Sequence, residues 1–236
     1  MRFTFLTLFP HILQSYFSDS ILGRAIESGK IEIDYCNPRD FASNRYGKVD
    51  EPQIGGGAGQ VICADVLDRA LYSVTTKHSH IIFLTPSAPQ FTQSDSIRLA
   101  RAMEHIIFVC GRYEGFDERV IELWADEVFC VGDFILTGGE LPALCLCDSI
   151  SRQIDGVLGN SQSLCGESFE NHLLESPIFA KTIKKDEKFE KILPPLAFFK
   201  GNHSKISDLK LDLSVSRTKY YRPDLYQKWK NHKDRK

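Results

Sequence analysis

Val109 to Pro142 reads VCGRYEGFDERVIELWADEVFCVGDFILTGGELP. Leading into it, Ile106 to Cys110 is a continuous apolar run without polar alternation, the pattern of a strand covered on both faces in a parallel sheet. The run stops at Gly111, where Gly111-Arg112-Tyr113-Glu114-Gly115 sets two conformationally permissive glycines around a cation, a phenol and a carboxylate. A tight strand-to-helix loop puts all three at the sheet edge where open α/β sheets bind ligands. Phe116 to Trp124 reads as a short helix with Asp117 in its first turn and Val120, Leu123 and Trp124 as its apolar stripe. Val128 to Val131 reads as a second buried strand, closed by Gly132 and Asp133. Thr137-Gly138-Gly139-Glu140 has the spacing of a Thr-x-x-Glu capping box at a helix start, with Pro142 inside the first turn. A helix start reached through glycines offers backbone N–H groups to a ligand.

A single Gly-Gly pair is most economically a tight turn. Three glycine loops in one stretch favour a binding site instead. Neither G-x-G-x-x-G nor G-x-x-x-x-G-K-[ST] occurs, so the dinucleotide and P-loop classes lack their usual signature.

Outward from this stretch, 236 residues with 42% hydrophobic and 25% charged side chains are ordinary globular composition, enough for one large domain or two modest ones. No apolar stretch approaches the roughly 20 residues of a membrane span, and the first ten residues carry one charge and no small-residue cleavage site, so a soluble cytoplasmic protein is expected. The seven cysteines form no C-x-x-C, and Cys110, Cys130 and Cys145 sit in apolar runs, which predicts reduced core residues. Cys145 and Cys147, two apart on a helix, point to different sides and would not chelate one ion. The net charge of −2 hides an asymmetry: Arg217 to Lys236 holds eight Lys or Arg against two Asp, +6 locally and −8 elsewhere. An anionic partner meeting the tail is expected.

In chain order, Phe3 to Leu8 reads as a strand, His11 to Phe17 and Ile21 to Ile26 as short helices, and Ile31 to Tyr35 as a strand with one wet face. Pro38 to Gln60, with Gly55-Gly56-Gly57-Ala58-Gly59, reads as a long irregular stretch. A loop of that length is functional or disordered, and glycines that admit close backbone approach to a phosphate or base favour function. Val61 to Thr75 reads as an amphipathic helix, Ile81 to Leu84 as a buried strand ending at Thr85-Pro86-Ser87-Ala88-Pro89. His78 and His80 have no third ligand candidate nearby and read as solvated loop residues. Leu141 to Ile154 reads as a helix with Asp148 and Arg152 on one face, for which a surface ion pair is the plain alternative to a functional role. Gly156 to Gly166 is a polar, glycine-rich linker and the best domain boundary, followed by a part richer in Lys and aromatics.

Cys110 to Arg119, Gly132 to Pro142 and Asp148-Ser-Ile-Ser-Arg152 closely resemble the bacterial tRNA (guanine-N1)-methyltransferase family, TrmD, one of the knotted (SPOUT) methyltransferases. The likeness runs nearly end to end, through Leu8-Phe9-Pro10, Pro38 to Phe41, Gly55 to Gly57 and Gly201-Asn202-His203. It implies an α/β fold: a knotted parallel-sheet catalytic domain over 1–158, a flexible linker over 159–170 and a smaller, mainly helical tRNA-binding domain over 171–236. It implies S-adenosylmethionine held by three loops: Leu84, Thr85 and Pro86; Gly111, Tyr113, Glu114 and Gly115; and Val131, Gly132, Asp133, Phe134, Ile135, Leu136, Gly138, Gly139 and Pro142. It implies tRNA contacts at Arg24, Asp50, Gly55, Gly56, Gly57, Gly59, Asn202 and His203, a homodimer with a composite active site, and Mg²⁺ near Glu114, for which a lone carboxylate is weak support. The glycine loop departs from the family's Gly-Gly-Gly-Pro-Gly-Met at Ala58 and Gln60.

Guanine N1 holds a proton at neutral pH, so methylation there needs a base, and a cation to stabilise charge developing on O6. The resemblance assigns these to Glu167, where the family has aspartate, and Arg152. A knotted enzyme methylating a ribose 2′-hydroxyl needs no such base, and a non-catalytic RNA-binding module would tolerate loss of the cofactor loops.

Overall fold

The computed structural model describes residues 1–180, 193–199 and 201–234. The chain divides into two compact units, Met1–Ser161 and Gln162–Lys236.

The first unit runs β1 (Arg2–Leu6), α1 (Pro10–Phe17), α2 (Ser20–Glu27), β2 (Glu32–Cys36), β3 (Asp50–Pro52), β4 (Gln60–Ile62), α3 (Ala64–Val74), β5 (Ser79–Leu84), α4 (Gln93–Ala102), β6 (His105–Cys110), α5 (Glu118–Trp124), β7 (Glu127–Phe129) and α6 (Glu140–Ser151). Five strands form one sheet in the order β2-β1-β6-β5-β7, every neighbouring pair parallel. β6 lies at its centre, and all six of its residues are buried, as an unbroken apolar run in a two-sided sheet requires.

Alternation along the strands sorts side chains onto two faces. Phe3, Phe5, Ile82, Leu84, Ile106 and Phe108 pack with Leu13, Phe17, Leu22, Leu99, Leu144 and Ile150, covering one face with α1, α2, α4 and α6. Phe3 and Phe5 hold the Phe108 ring at centroid distances of 6.1 and 5.4 Å. Leu6, Ile81, Phe83, Ile107 and Val109 pack on the other face with Leu67 and Leu71 of α3 and Val120 of α5.

Four local expectations change. The stretch from Pro38 to Gln60 is not without structure: Pro38–Phe41 makes a 3-10 turn, and β3 and β4 form an antiparallel hairpin with the glycine run at its tip. Val61 pairs with Glu51 in that hairpin, so the helix starts only at Ala64. His80 is a strand residue rather than a solvated one, its Nε2 2.6 Å from Glu127 Oε1, which Arg98 also binds. Cys145 is exposed on α6, whereas Cys110 and Cys130 are buried; all seven cysteines are free thiols.

The second unit contains helices α7 (His203–Tyr221) and α8 (Pro223–Lys233), joined at Arg222, whose guanidinium is bonded to Asp224 at 2.9 and 2.7 Å. Fully buried Thr218 donates to the Ser214 carbonyl and accepts from Leu174 N–H, tying the preceding extended segment to α7. Tyr226 and Trp229 stack at 5.8 Å, with Lys219 over one ring and Lys233 over the other. No helix among the described residues is long and apolar enough to cross a membrane.

Candidate active site

Three loops converge at the carboxyl ends of β5, β6 and β7, the edge where parallel sheets present ligand sites. Backbone hydrogen bonds fix them to one another. Thr85 N–H donates to the Phe129 carbonyl, Phe91 N–H to Cys130, and Gly139 N–H to Gly111 at 2.8 Å. The second loop turns sharply, with Tyr113 at φ +59° and Gly115 at φ +115°, the latter open to glycine and strained for other residues.

Between these loops lies a cleft of about 430 Å³. Leu84, Thr85 and Pro86 line it from the first loop and Gly111, Tyr113, Glu114 and Gly115 from the second. Val131, Gly132, Phe134, Ile135, Leu136, Gly138 and Gly139 come from the third, with Pro142 from the first turn of α6. Asp133 is exposed and outside the lining. Sequence reasoning passed over Ser87, Phe116, Glu118, Ile121 and Thr137, which also line it.

Glycine at three of these positions is a matter of space. A Cβ at Gly132 would sit 2.5 Å from the Phe134 ring, and one at Gly139 would sit 2.7 Å from the Gly111 nitrogen and 2.8 Å from Cys110 Cα. At Gly138 it would sit 2.4 Å from Arg112 Nε and 2.7 Å from Glu140 Oε2. That last pair is the feature the sequence hid. Thr137 and Glu140 do not form a capping box: Gly139 is the N-cap of α6, no side chain caps it, and the Glu140 carboxylate, 1% exposed, turns inward. Its Oε1 accepts from Thr7 Oγ1 at 2.8 Å. Its Oε2 lies 2.9 Å from Arg112 Nε but off the hydrogen-bond direction, so the two pair by charge and neither atom has a hydrogen bond. Arg112 Nη1 donates to the Thr137 carbonyl and the guanidinium lies 4.7 Å over the Phe9 ring. Burial and neighbouring Glu140 push the thiol of buried Cys110, just before the second loop, well above its ordinary range, so it stays protonated and inert.

The glycine hairpin borders the same loop. Glu114 N–H donates to the Gln60 carbonyl, Ile62 N–H to Gly115, and Asp117 N–H to Ile62. Gly56, Gly57 and Gly59 have φ of +77°, +121° and +83°, and a Cβ at Gly59 would lie inside the Glu114 side chain. Asp50 starts β3, and Gly55 is exposed at the tip. Arg24 is exposed on α2.

Arg152 is the half-buried C-cap of α6, its N–H bonded to the Asp148 carbonyl. The Asp148 carboxylate accepts from Tyr16 Oη, a bond that, with burial, pushes the phenol up to about 12. Glu167 belongs to the second unit and is half-buried. It precedes an unusual left-handed run, Phe169 at φ +80°, Asn171 at +51° and His172 at +62°, the kind of backbone strain that clusters at functional segments. Asn202 is the N-cap of α7, accepting from Lys205 N–H, and His203 is the first residue of that helix.

A cleft of this size, with aliphatic and aromatic walls, glycine floors and polar side chains at Thr85, Ser87, Arg112, Tyr113 and Glu114, suits a nucleoside-sized ligand. The residues present fit S-adenosylmethionine. Among the described residues no group of three or more His, Cys, Asp or Glu could hold a metal ion.

The family tRNA (Guanine-1)-methyltransferase TrmD matches residues 1–228. The chain is 59% identical over 230 residues to a tRNA (guanine-N(1)-)-methyltransferase of Helicobacter hepaticus, covering 98% of this chain and 94% of that one. It is 56% identical to its namesake in Helicobacter pylori strain 26695, covering 98% and 100% of the two chains. To that of Wolinella succinogenes it is 53% identical, covering 98% and 96%. With a match from the first residue to the middle of α8, this chain belongs to the tRNA (guanine-1)-methyltransferase family, TrmD.

Proposed function

We propose that this protein transfers a methyl group from S-adenosylmethionine to N1 of the guanosine just 3′ of the tRNA anticodon, in the cytoplasm. The observation that carries the reading is the glycine-walled cleft at the ends of β5, β6 and β7, in a chain of this family. Relatives that align over 98% of the chain are tRNA (guanine-N(1)-)-methyltransferases by name.

When bound, S-adenosylmethionine supplies an electrophilic methyl on a sulfonium centre. The protein's own work is therefore alignment and proton removal. The three loops fix the ligand between backbone groups that Gly139 and Gly111 lock together. Glu167 takes the N1 proton, and Arg152 stabilises the negative charge that then develops on O6. The basic second unit and the glycine hairpin, with Arg24 and Asp50, hold the RNA. We further propose that the path from β6 through the third loop to α6 is the family's knot, with 1–158 as the catalytic domain, 159–170 as linker and 171–236 as the RNA-binding domain. The active enzyme is a homodimer in which Glu167 of the partner subunit serves the cleft.

Incubating unmodified tRNA with the protein and isotope-labelled S-adenosylmethionine, then mapping the label by mass spectrometry, tests the reading. Label on N1 of the guanosine 3′ of the anticodon is expected. Label on a ribose 2′-hydroxyl, or none, would overturn it. Mixing inactive Gly138→Val and Glu167→Ala subunits tests the composite site: heterodimers that regain activity support it, and heterodimers that stay inactive refute it.

A further inference from the structure

Among the described residues lining the cleft, Arg112 is the cation and Glu114 and Glu118 are the carboxylates. Behind Arg112 stands Glu140, buried from solvent and held by Thr7 on one oxygen and by the Arg112 charge on the other. Carboxylates are seldom fully buried unless paired, and a buried ion pair is weak evidence for stability, since apolar residues of the same volume serve as well or better. The molecule also gives up a side chain at Gly138 to let the pair form. A need at the cleft, rather than stability, then accounts for the pair.

We infer that Glu140 is a positioning residue that cancels the charge of Arg112 at the cleft wall and so sets the balance of affinity between the sulfonium cofactor and its thioether product. This rests on the reading that the cleft holds S-adenosylmethionine. In the transfer the C–S bond breaks, the methyl passes to guanine N1, the electron pair stays on sulfur and the N1 proton goes to the base. Substrate and product otherwise share their adenosine, ammonium and carboxylate, and differ by the methyl and one positive charge on sulfur. An uncompensated guanidinium in the wall repels the cationic form alone. A paired one leaves the cofactor free to bind before the reaction and the product without an electrostatic advantage after it.

The test is isothermal titration of the full-length protein, without tRNA, by S-adenosylmethionine and S-adenosylhomocysteine, with thermal unfolding of each variant in parallel. Glu140→Gln keeps size and the Thr7 contact but leaves Arg112 charged. It should lower the ratio of sulfonium to thioether affinity about tenfold, the size expected for unit charges on the order of 10 Å apart at an effective dielectric near 20. Arg112→Gln should move the ratio the other way, and the double variant should return it to the wild-type value. If Glu140→Gln weakens both ligands equally, the inference is wrong and Glu140 only supports the loops. Should Glu140→Gln fail to fold, an unchanged ratio in Arg112→Gln overturns the inference instead. A wild-type protein that binds neither ligand would overturn the reading of the cleft itself.

Discussion

Gly139 donates its N–H to the Gly111 carbonyl at 2.8 Å, joining the start of α6 to the end of β6 with no side chain between them. A Cβ there would meet only backbone, Gly111 N at 2.7 Å and Cys110 Cα at 2.8 Å, which cannot swing aside. A Cβ at neighbouring Gly138 meets the ends of two side chains, which can. Gly139→Ala should therefore destabilise the fold by about 1–3 kcal/mol and abolish cofactor binding. Gly138→Ala should cost less stability while still weakening the cofactor. Thermal unfolding and titration of both variants check this; equal losses of stability would contradict the distinction.

At the hairpin, Gly59→Ala brings two penalties, a left-handed φ of +83° and a collision with the Glu114 side chain. The KM for tRNA should rise by more than cofactor affinity falls, the hairpin meeting the cofactor loop through backbone hydrogen bonds and through the Glu114 side chain that lines the cleft. Adding Glu114→Ala removes the collision but not the backbone strain of about 1–2 kcal/mol. A double-mutant cycle on stability should thus show favourable coupling between the two substitutions, and strict additivity would argue against the contact.

Below the sheet, at the edge away from the cleft, buried His105 lies between the Thr4 and Ser79 hydroxyls, 2.8 Å from each. Burial, helped by Arg2 and opposed by Asp34 and Glu32, lowers its pKa below 6.5. The unfolded chain then binds a proton near pH 6.5 that the folded chain refuses, so stability should fall as pH drops from about 6.5 to the folded-state value. The slope for one such group is at most about 1.4 kcal/mol per pH unit. Urea unfolding across this range should show that dependence in the wild type and a smaller one in His105→Gln.

Glu167→Gln keeps size and hydrogen-bonding capacity but cannot accept the proton. Single-turnover methylation should slow by roughly the 10²–10⁴ typical of a general base, with tRNA and cofactor affinities nearly unchanged. Glu167→Asp should be far milder. A Gln variant at wild-type rate would make Glu167 a positioning residue and direct the search to Glu170, whose carboxylate accepts from Gly166 N–H.

Lys228 and Lys230 are exposed on α8 beside the stacked, half-buried Tyr226 and Trp229. Reversing both charges should weaken tRNA binding and flatten its dependence on salt by about one unit of log–log slope for each phosphate no longer neutralised, leaving cofactor affinity intact. An unchanged slope would show that this face does not meet the RNA.

The parallel strands were legible because burial on both faces writes an unmistakable apolar run, as in Ile106 to Cys110. The turns at Gly111, Gly115, Gly138 and Gly139 were legible because only glycine suits them, by a positive φ at Gly115 and by the lack of room for a Cβ at the other three. Helix α4 went unread because QSDSIRLARA shows few apolar residues, and only Ser96 and Leu99 of it are buried. The β3–β4 hairpin was hidden by strands of three residues, one ending in proline. Glu140 matched a local capping pattern, while its true partners, Thr7 and Arg112, are remote in sequence; no short-range rule reports such a pairing.

The central place of β6 bears on how the chain is made. Strand β1 can pair with β2 once the first 36 residues exist, but its other edge faces β6, which begins at His105. Strand β5 likewise waits for β6 before it joins that pair. Until β6 emerges, a ribosome-bound chain thus carries the uncovered edge of β1 and, once residue 84 is made, an unpaired β5 as well, the condition under which nascent sheets aggregate. Production of this protein should depend on chaperone supply early in translation, and chains cut short before residue 105 should be insoluble.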